Sequence, residues 1–347
     1  MSNGIESLAR QGRDGRLTRR EFTALSVLAA AQIAVPAWSQ AGAQAAAQTG
    51  PAPFPILDLN HVSVAVADHA RSVAFYQRIF DLTVYTSQRN GDWPIMTVGD
   101  GPQFVCPIPY APGTPPERRL SHHTCVHMNN FDPVAAVKIL GEMGVMARAN
   151  PRAAKAQIPL GTVDTPEMTF PDPDGIVLQI QDASYCGGSG FLGEVCNIPA
   201  KPSRNKAPLV LRKINSVQMH VSNVDASLAF YQRVFGYKVK TRQAKGAVPV
   251  MTVGEGPQYI SLHEGSRTGH HFCLGIENFD ADRVMKTLKD LGVAAELKMR
   301  AAADQRPQVA GAKDTPEITI VDPDGVVVMI ADWRNAGGVG PIGAVLA

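Results

Sequence analysis

The sequence repeats itself, and the repeat constrains the fold more than any other feature. Ala74-Phe75-Tyr76-Gln77-Arg78 returns as Ala229-Phe230-Tyr231-Gln232-Arg233. Met96-Thr97-Val98-Gly99, then Gly101-Pro102-Gln103, returns as Met251-Thr252-Val253-Gly254, then Gly256-Pro257-Gln258. His122-His123 returns as His270-His271. Asp164-Thr165-Pro166-Glu167 and Asp172-Pro173-Asp174-Gly175 return as Asp314-Thr315-Pro316-Glu317 and Asp322-Pro323-Asp324-Gly325. The copies run over 56–182 and 211–332, so the chain carries two similar domains. A Cys/Gly/Pro-rich linker at 183–210 separates them, and a tail at 333–347 follows.

Within each copy the periodicity switches between strand and helix. From Leu59 to Val66, Val62, Val64 and Val66 fall on one face and His61, Ser63 and Ala65 on the other. Asp68 then reads as an N-cap, followed by a helical stripe through Val73, Tyr76 and Phe80. Short strands are expected at 95–98 and 103–106. The pattern then starts again: His123 to Met128 alternates, and Asp132-Pro133 caps a helix with proline at its first position. That helix stops near Gly144. Thr169-Phe170 and Ile176 to Ile180 read as strands around the Asp-Pro-Asp-Gly turn. Each copy is thus two strand–helix–strands units, and the fold class is α+β.

The run Asn60-His61-Val62-Ser63-Val64-Ala65-Val66 with Ser72 to Tyr76 resembles the opening of a glyoxalase, bleomycin-resistance or extradiol-dioxygenase domain (the vicinal oxygen chelate superfamily). His123-Thr124-Cys125-Val126 resembles the opening of its second module, and Asp172-Pro173-Asp174-Gly175 with the following apolar strand resembles its closing hairpin. Both copies match. The resemblance implies two tandem domains, each a pair of βαβββ modules forming a cupped mixed sheet with helices outside and a site inside.

It also implies a divalent metal held from the first strand of each module and from the closing strand, where extradiol dioxygenases use a two-His-one-carboxylate triad. In copy one those positions hold His61, His123 and Gln179; Gln179 stands where a glutamate is expected. In copy two they hold Ser216, His271 and Met329, a poor set for a hard cation. The metal is therefore expected in copy one, with Fe2+ favoured and Mn2+, Zn2+ or Ni2+ as alternatives. Two-domain extradiol enzymes usually carry it in the second domain instead. The resemblance points to a ring-cleaving dioxygenase, isomerase or lyase acting on a small oxygenated molecule. The competing reading is a metal-free protein that binds or sequesters a small molecule, as bleomycin-resistance proteins do.

Alternation gives an independent view of the same face. If His61 faces the cup, so do Ser63 and Ala65; with His123 go Cys125 and His127; with Gln179 go Val177 and Gln181. Ser216, Gln218, His220, His271, Cys273 and Met329 form the matching face of copy two. A polar concave face beside an apolar convex one suits a binding cleft. His127 and His220 are the candidate acid–base groups.

Residues 1–43 read as a signal peptide. Thr18-Arg19-Arg20-Glu21-Phe22 resembles the twin-arginine export motif, and Ala41-Gly42-Ala43 offers a cleavage site. Residues 44–55 lead into the first copy. A periplasmic or secreted protein is expected. Cys186 and Cys196 then fit a local disulfide, while Cys106, Cys125 and Cys273 read as buried small hydrophobes. The net charge of +2 gives no reason to expect nucleic acid. The apolar run of the leader is too short for a stable membrane span. The expected partner is a small molecule, and homo-oligomerisation stays open.

Overall fold

The computed structural model describes residues 52–111, 113–114, 122–158, 160–201, 206–265 and 269–343. The leader with its twin-arginine segment lies outside the described residues. Among the described residues no helix is long and apolar enough to cross a membrane.

Copy one opens with β1 (Ile56–Val66), α1 (His69–Ile79), β2 (Thr83–Gln88), β3 (Trp93–Thr97) and β4 (Phe104–Pro109). Its second module is β5 (His123–Met128), α2 (Pro133–Glu142), β6 (Arg148–Arg152), β7 (Thr165–Pro171) and β8 (Val177–Asp182). These make one eight-stranded sheet in the order β2-β3-β4-β1-β5-β8-β7-β6. Copy two repeats the plan with β9 (Leu211–Val221), α3 (Val224–Phe235), β10 (Val239–Gln243), β11 (Val248–Thr252) and β12 (Tyr259–Glu264). It finishes with β13 (Gly269–Ile276), α4 (Ala281–Asp290), β14 (Ala295–Arg300), β15 (Thr315–Val321) and β16 (Val327–Asp332). Each sheet is mixed: β1 runs parallel to β4 and antiparallel to β5, and β5 runs parallel to β8. Bridges between Ser87 and Ile158, and between Arg242 and Arg306, draw the edges of each sheet toward each other, giving two curled half-barrels.

The helices form where the caps dictate. The Asp68 carboxylate accepts from Arg71 N at 3.1 Å, and Asp132 accepts from Val134 N and Ala135 N with Pro133 at the first turn. Val62, Val64 and Val66 pack into a core shared by the two copies, on the face away from His61 and Ser63. β7 begins at Thr165, earlier than the short strand expected at Thr169-Phe170. Its pairing with β6 carries the Asp-Thr-Pro-Glu motif into the sheet.

The repeated motifs are joints between the copies. Each Asp-Pro-Asp-Gly turn docks on the first helix of the other copy. Tyr231 donates its hydroxyl to Asp172 Oδ2 at 3.1 Å, and Tyr76 donates to Asp322 Oδ2 at 3.2 Å. Asp174 accepts from Ser222 N and Ser227 Oγ, while Asp324 accepts from Ala67 N, Ser72 Oγ and Arg71 Nη2. A second reciprocal joint lies at the strand centres. The register of β1 shifts between Leu59 and His61, which leaves Asn60 without a partner on β5. Gln258 Oε1 accepts from Leu59 N at 3.1 Å, and Gln103 Oε1 accepts from Ile214 N at 3.0 Å. Each glutamine therefore satisfies a backbone N–H beside a bulge in the other copy.

Candidate functional site

The concave face of copy one encloses a cavity of about 150 Å³. Its polar lining includes His61, Ser63, His122, His123, Glu167 and Gln179, and its apolar walls include Trp93, Ile95, Phe104 and Ile108. The structure thus brings the three expected ligand positions into one cavity.

The bulge at Asn60 sets the pose of the first imidazole. Asn60 Nδ2 donates to Tyr185 O at 3.1 Å, which turns its carbonyl toward His61. Asn60 Oδ1 then accepts from His61 Nδ1 at 2.6 Å. This fixes the proton on Nδ1 and leaves the Nε2 lone pair facing the cavity. The ring is stacked on Phe104, with centroids 4.2 Å apart. His61 Nε2 stands 2.8 Å from His123 Nε2, and Ser63 Oγ is 3.3 Å from the same His123 nitrogen. His123 Nδ1 in turn faces His122 Nδ1 at 2.6 Å.

The electrostatics favour neutral imidazoles. Burial holds the His61 pKa well below its usual range; the charges of His127, Arg152 and His122 add to the effect and a Gln179 hydrogen bond opposes it. Burial also lowers the pKa of His122. Two nitrogens that share a first-row metal at about 2.1 Å, at a right angle, stand roughly 3 Å apart. The 2.8 Å between the two Nε2 atoms fits that spacing. For His123 to offer Nε2, its proton must sit on Nδ1, where His122 Nδ1 is placed to accept the hydrogen bond. The imidazole pair thus fits a divalent metal; the third donor, Gln179, brings an amide oxygen and no charge. Among the described residues no three His, Cys, Asp or Glu side chains converge as a ligand set.

His127 lies apart from these groups. It is not among the cavity-lining residues, and its Nδ1 is 2.9 Å from Asp58 Oδ1 and its Nε2 3.3 Å from Tyr185 O. His220 belongs to the second cup, with its Nε2 3.2 Å from His271 Nδ1.

Sequence reasoning did not single out two parts of the cavity. The first is the pair Arg152–Glu167. Arg152 is buried, with Nε 3.5 Å from Glu167 Oε1. The signal was available, because Glu167 closes a repeated motif. The second is the connector after β8, which roofs the cavity. Arg152 Nη1 and Nη2 donate to Gly187 O and Gly188 O at 3.0 and 2.9 Å, and Gln88 Nε2 donates to Gly187 O at 2.9 Å. Gly187 has φ +80°, and a Cβ there would come within 3.1 Å of Ile95 and Phe104. The Cys186–Cys196 disulfide, expected from the spacing, closes this loop. The tail of copy two forms the same roof. Gln243 Nε2 donates to Gly337 O at 2.9 Å, and Arg300 Nη2 donates to Gly338 O at 2.6 Å. Little besides the glycines survives between the two loops, which hid the correspondence. Cys106, Cys125 and Cys273 are free and buried, as read.

The family described as Glyoxalase/Bleomycin resistance protein/Dioxygenase superfamily matches the chain twice, over residues 58–180 and 213–330. No curated protein sequence matches. Among solved structures, the 2,3-dioxygenase LapB from Pseudomonas sp. KL28 aligns with a TM-score of 0.59 at 12% identity, covering 80% of this chain and 92% of that one. The Mn(II)-bound glyoxalase from Novosphingobium aromaticivorans aligns at 0.58 and 13%, covering 84% and 86%. The 2,2',3-trihydroxybiphenyl 1,2-dioxygenase from Sphingomonas wittichii strain RW1 aligns at 0.54 and 13%, covering 84% and 93%. At these identities the likeness is one of fold.

Proposed function

Given that the chain belongs to the Glyoxalase/Bleomycin resistance protein/Dioxygenase superfamily, we propose that its first cup is a divalent-metal site acting on a small, single-ring oxygenated substrate. The supporting observation is the pair of imidazole nitrogens 2.8 Å apart, each ring braced from behind by a named partner. His61 and His123 would hold the metal, with the Gln179 side-chain oxygen as the third donor. Bound there, a metal supplies Lewis-acid polarisation of substrate oxygens. Fe2+ suits ring cleavage, and Mn2+, Zn2+ or Ni2+ suits isomerase or lyase chemistry.

The chain's own groups do the rest. Asn60 keeps the His61 lone pair aimed inward. Phe104 fixes the ring plane, and the connector at Gly187 packs against Ile95 and Phe104 of the cavity wall. His122, neutral through burial, accepts the Nδ1 hydrogen bond of His123. Size points to a small substrate: an apolar cavity of roughly 150 Å³ takes up benzene, and this one, with a volume of about 150 Å³, suits a single ring. Ring cleavage is the favoured reaction, supported by the dioxygenases among the structural neighbours.

The test is oxygen uptake by anaerobically iron-loaded protein given catechol, a substituted catechol and 2,3-dihydroxynaphthalene. The reading expects uptake with the single-ring diols and little with the naphthalene. No uptake with any diol, and no spectral change with 2-oxoaldehyde adducts, would leave the metal-free binding reading, which the uncharged Gln179 favours. Export to the periplasm through the twin-arginine route is part of the proposal. Replacing Arg19 and Arg20 by lysine should retain the protein in the cytoplasm.

A further inference from the structure

The second cup has lost one imidazole of the first, kept another as His271, and gained two at new positions. At the level of the first ligand, Ser216 stands where copy one has His61, and Asn215 Oδ1 is buried with no hydrogen-bond partner. Further along the same faces the exchange runs the other way. β9 carries His220 and β12 carries His263, directly paired in register, where copy one pairs Ala65 with Ile108. β13 adds His271 from the other side of β9. Three imidazoles from three adjacent strands therefore share one concave face, four residues beyond Ser216 along β9.

The three side chains do not yet converge as a ligand set, but two of them already stand at the spacing of ligands. His220 Nε2 and His271 Nδ1 are 3.2 Å apart. Nitrogens sharing a first-row metal at about 2.1 Å stand roughly 3.0–3.4 Å apart at octahedral to tetrahedral angles. The His220 ring lies 4.4 Å from that of His271 and 5.4 Å from that of His263, centroid to centroid. Only His263 is turned aside, its Nε2 3.0 Å from Ser261 Oγ. A rotation about its side-chain bonds exchanges that weak partner for a shared one. All three rings are half-buried, which leaves a path for an ion.

We propose that His220, His263 and His271 form a second metal site, for a borderline cation that prefers nitrogen such as Zn2+, Co2+, Ni2+ or Cu2+. It keeps His271, the equivalent of His123, takes its other two ligands from further along the strands, and is independent of the first cup's own ligands. Three imidazoles with an open fourth position make this a site able to bind a water or an oxygen ligand.

The test uses the untagged chain with H61A and H123A, which removes the first cup's ligands. Co2+ is titrated into it and the visible d–d bands are followed. The proposal expects one equivalent per chain with the absorption of a nitrogen-rich, low-coordinate centre, and affinity falling at least tenfold in H220A and in H263A. S261A, which frees His263 from its alternative partner, should hold or raise affinity and serves as a folded control. A H61A/H123A protein that binds no Co2+, or binding that H220A and H263A leave unchanged, would overturn the proposal. Binding abolished by H123A alone would overturn its independence from the first cup.

Discussion

The two cups share a scaffold and differ in what they hold. The joints are alike in both: the turn aspartates on Tyr231 and Tyr76, the glutamines across the bulges, and the glycine roof on Arg152 and Arg300. The concave faces are not. His61 on Phe104 becomes Ser216 beside Tyr259, Gln179 becomes Met329, and Ala65 and Ile108 become His220 and His263. The asparagine behind the first ligand remains in both. In copy one its carbonyl braces His61; in copy two it is left without a partner. The difference shows that the fold depends on the joints, while the cup faces are free to change chemistry.

That comparison can be broken at several points. The largest effect is expected at the paired asparagines. N60A should weaken metal binding in the first cup roughly 10–100-fold, whereas N215A should leave it unchanged, both read by titration. Equal losses would mean the brace acts through the fold. Next are the joints, where the copies should behave alike. Y76F and Y231F each leave a buried aspartate short of a partner and should cost about 1–3 kcal/mol in denaturant melts. A cost confined to one would show that the interface is asymmetric.

The pH profile of chelated protein tests the imidazoles of the second cup. His263 and His271 have folded pKa values near 4, so the unfolded chain takes up protons that the folded one does not as pH falls from about 6.5 toward 4. Their contribution to stability is present above 6.5 and lost across that window. Asp172, raised to about 6 by burial, and Asp322, raised likewise, act in the opposite sense. H263N/H271N should therefore flatten the acid side of the stability curve, and a curve that keeps its slope would contradict the assignment. The smallest effect is expected from S216H, whose Nδ1–H would meet the orphaned Asn215 oxygen. It should change stability by within about 1 kcal/mol of wild type, while its Asn215-dependence in a double-mutant cycle measures the restored hydrogen bond.

Much of this was legible in the residues themselves. Asp68 and Asp132-Pro133 announce their helices through local chemistry, and the alternation around His61 announces a two-faced strand. The His61–His123 pair followed from motif positions. Other features lie beyond local pattern. The partners of the Asp-Pro-Asp-Gly turns lie in the other copy, so a turn signal could not disclose a joint. The connector reads as a linker because glycines carry no periodicity; only their bonds to Gln88 and Arg152 tie it to the cup. His263 sits in a strand whose register against His220 only pairing reveals.

The central claim is that the first cup holds a metal on His61 and His123. Elemental analysis of metal-reconstituted full-length chain, wild type beside H61A and H123A, tests it directly. The account predicts that each variant loses one equivalent of metal per chain while keeping the wild-type circular dichroism. Wild-type protein that takes up no metal, or variants that retain the full wild-type content, would contradict it.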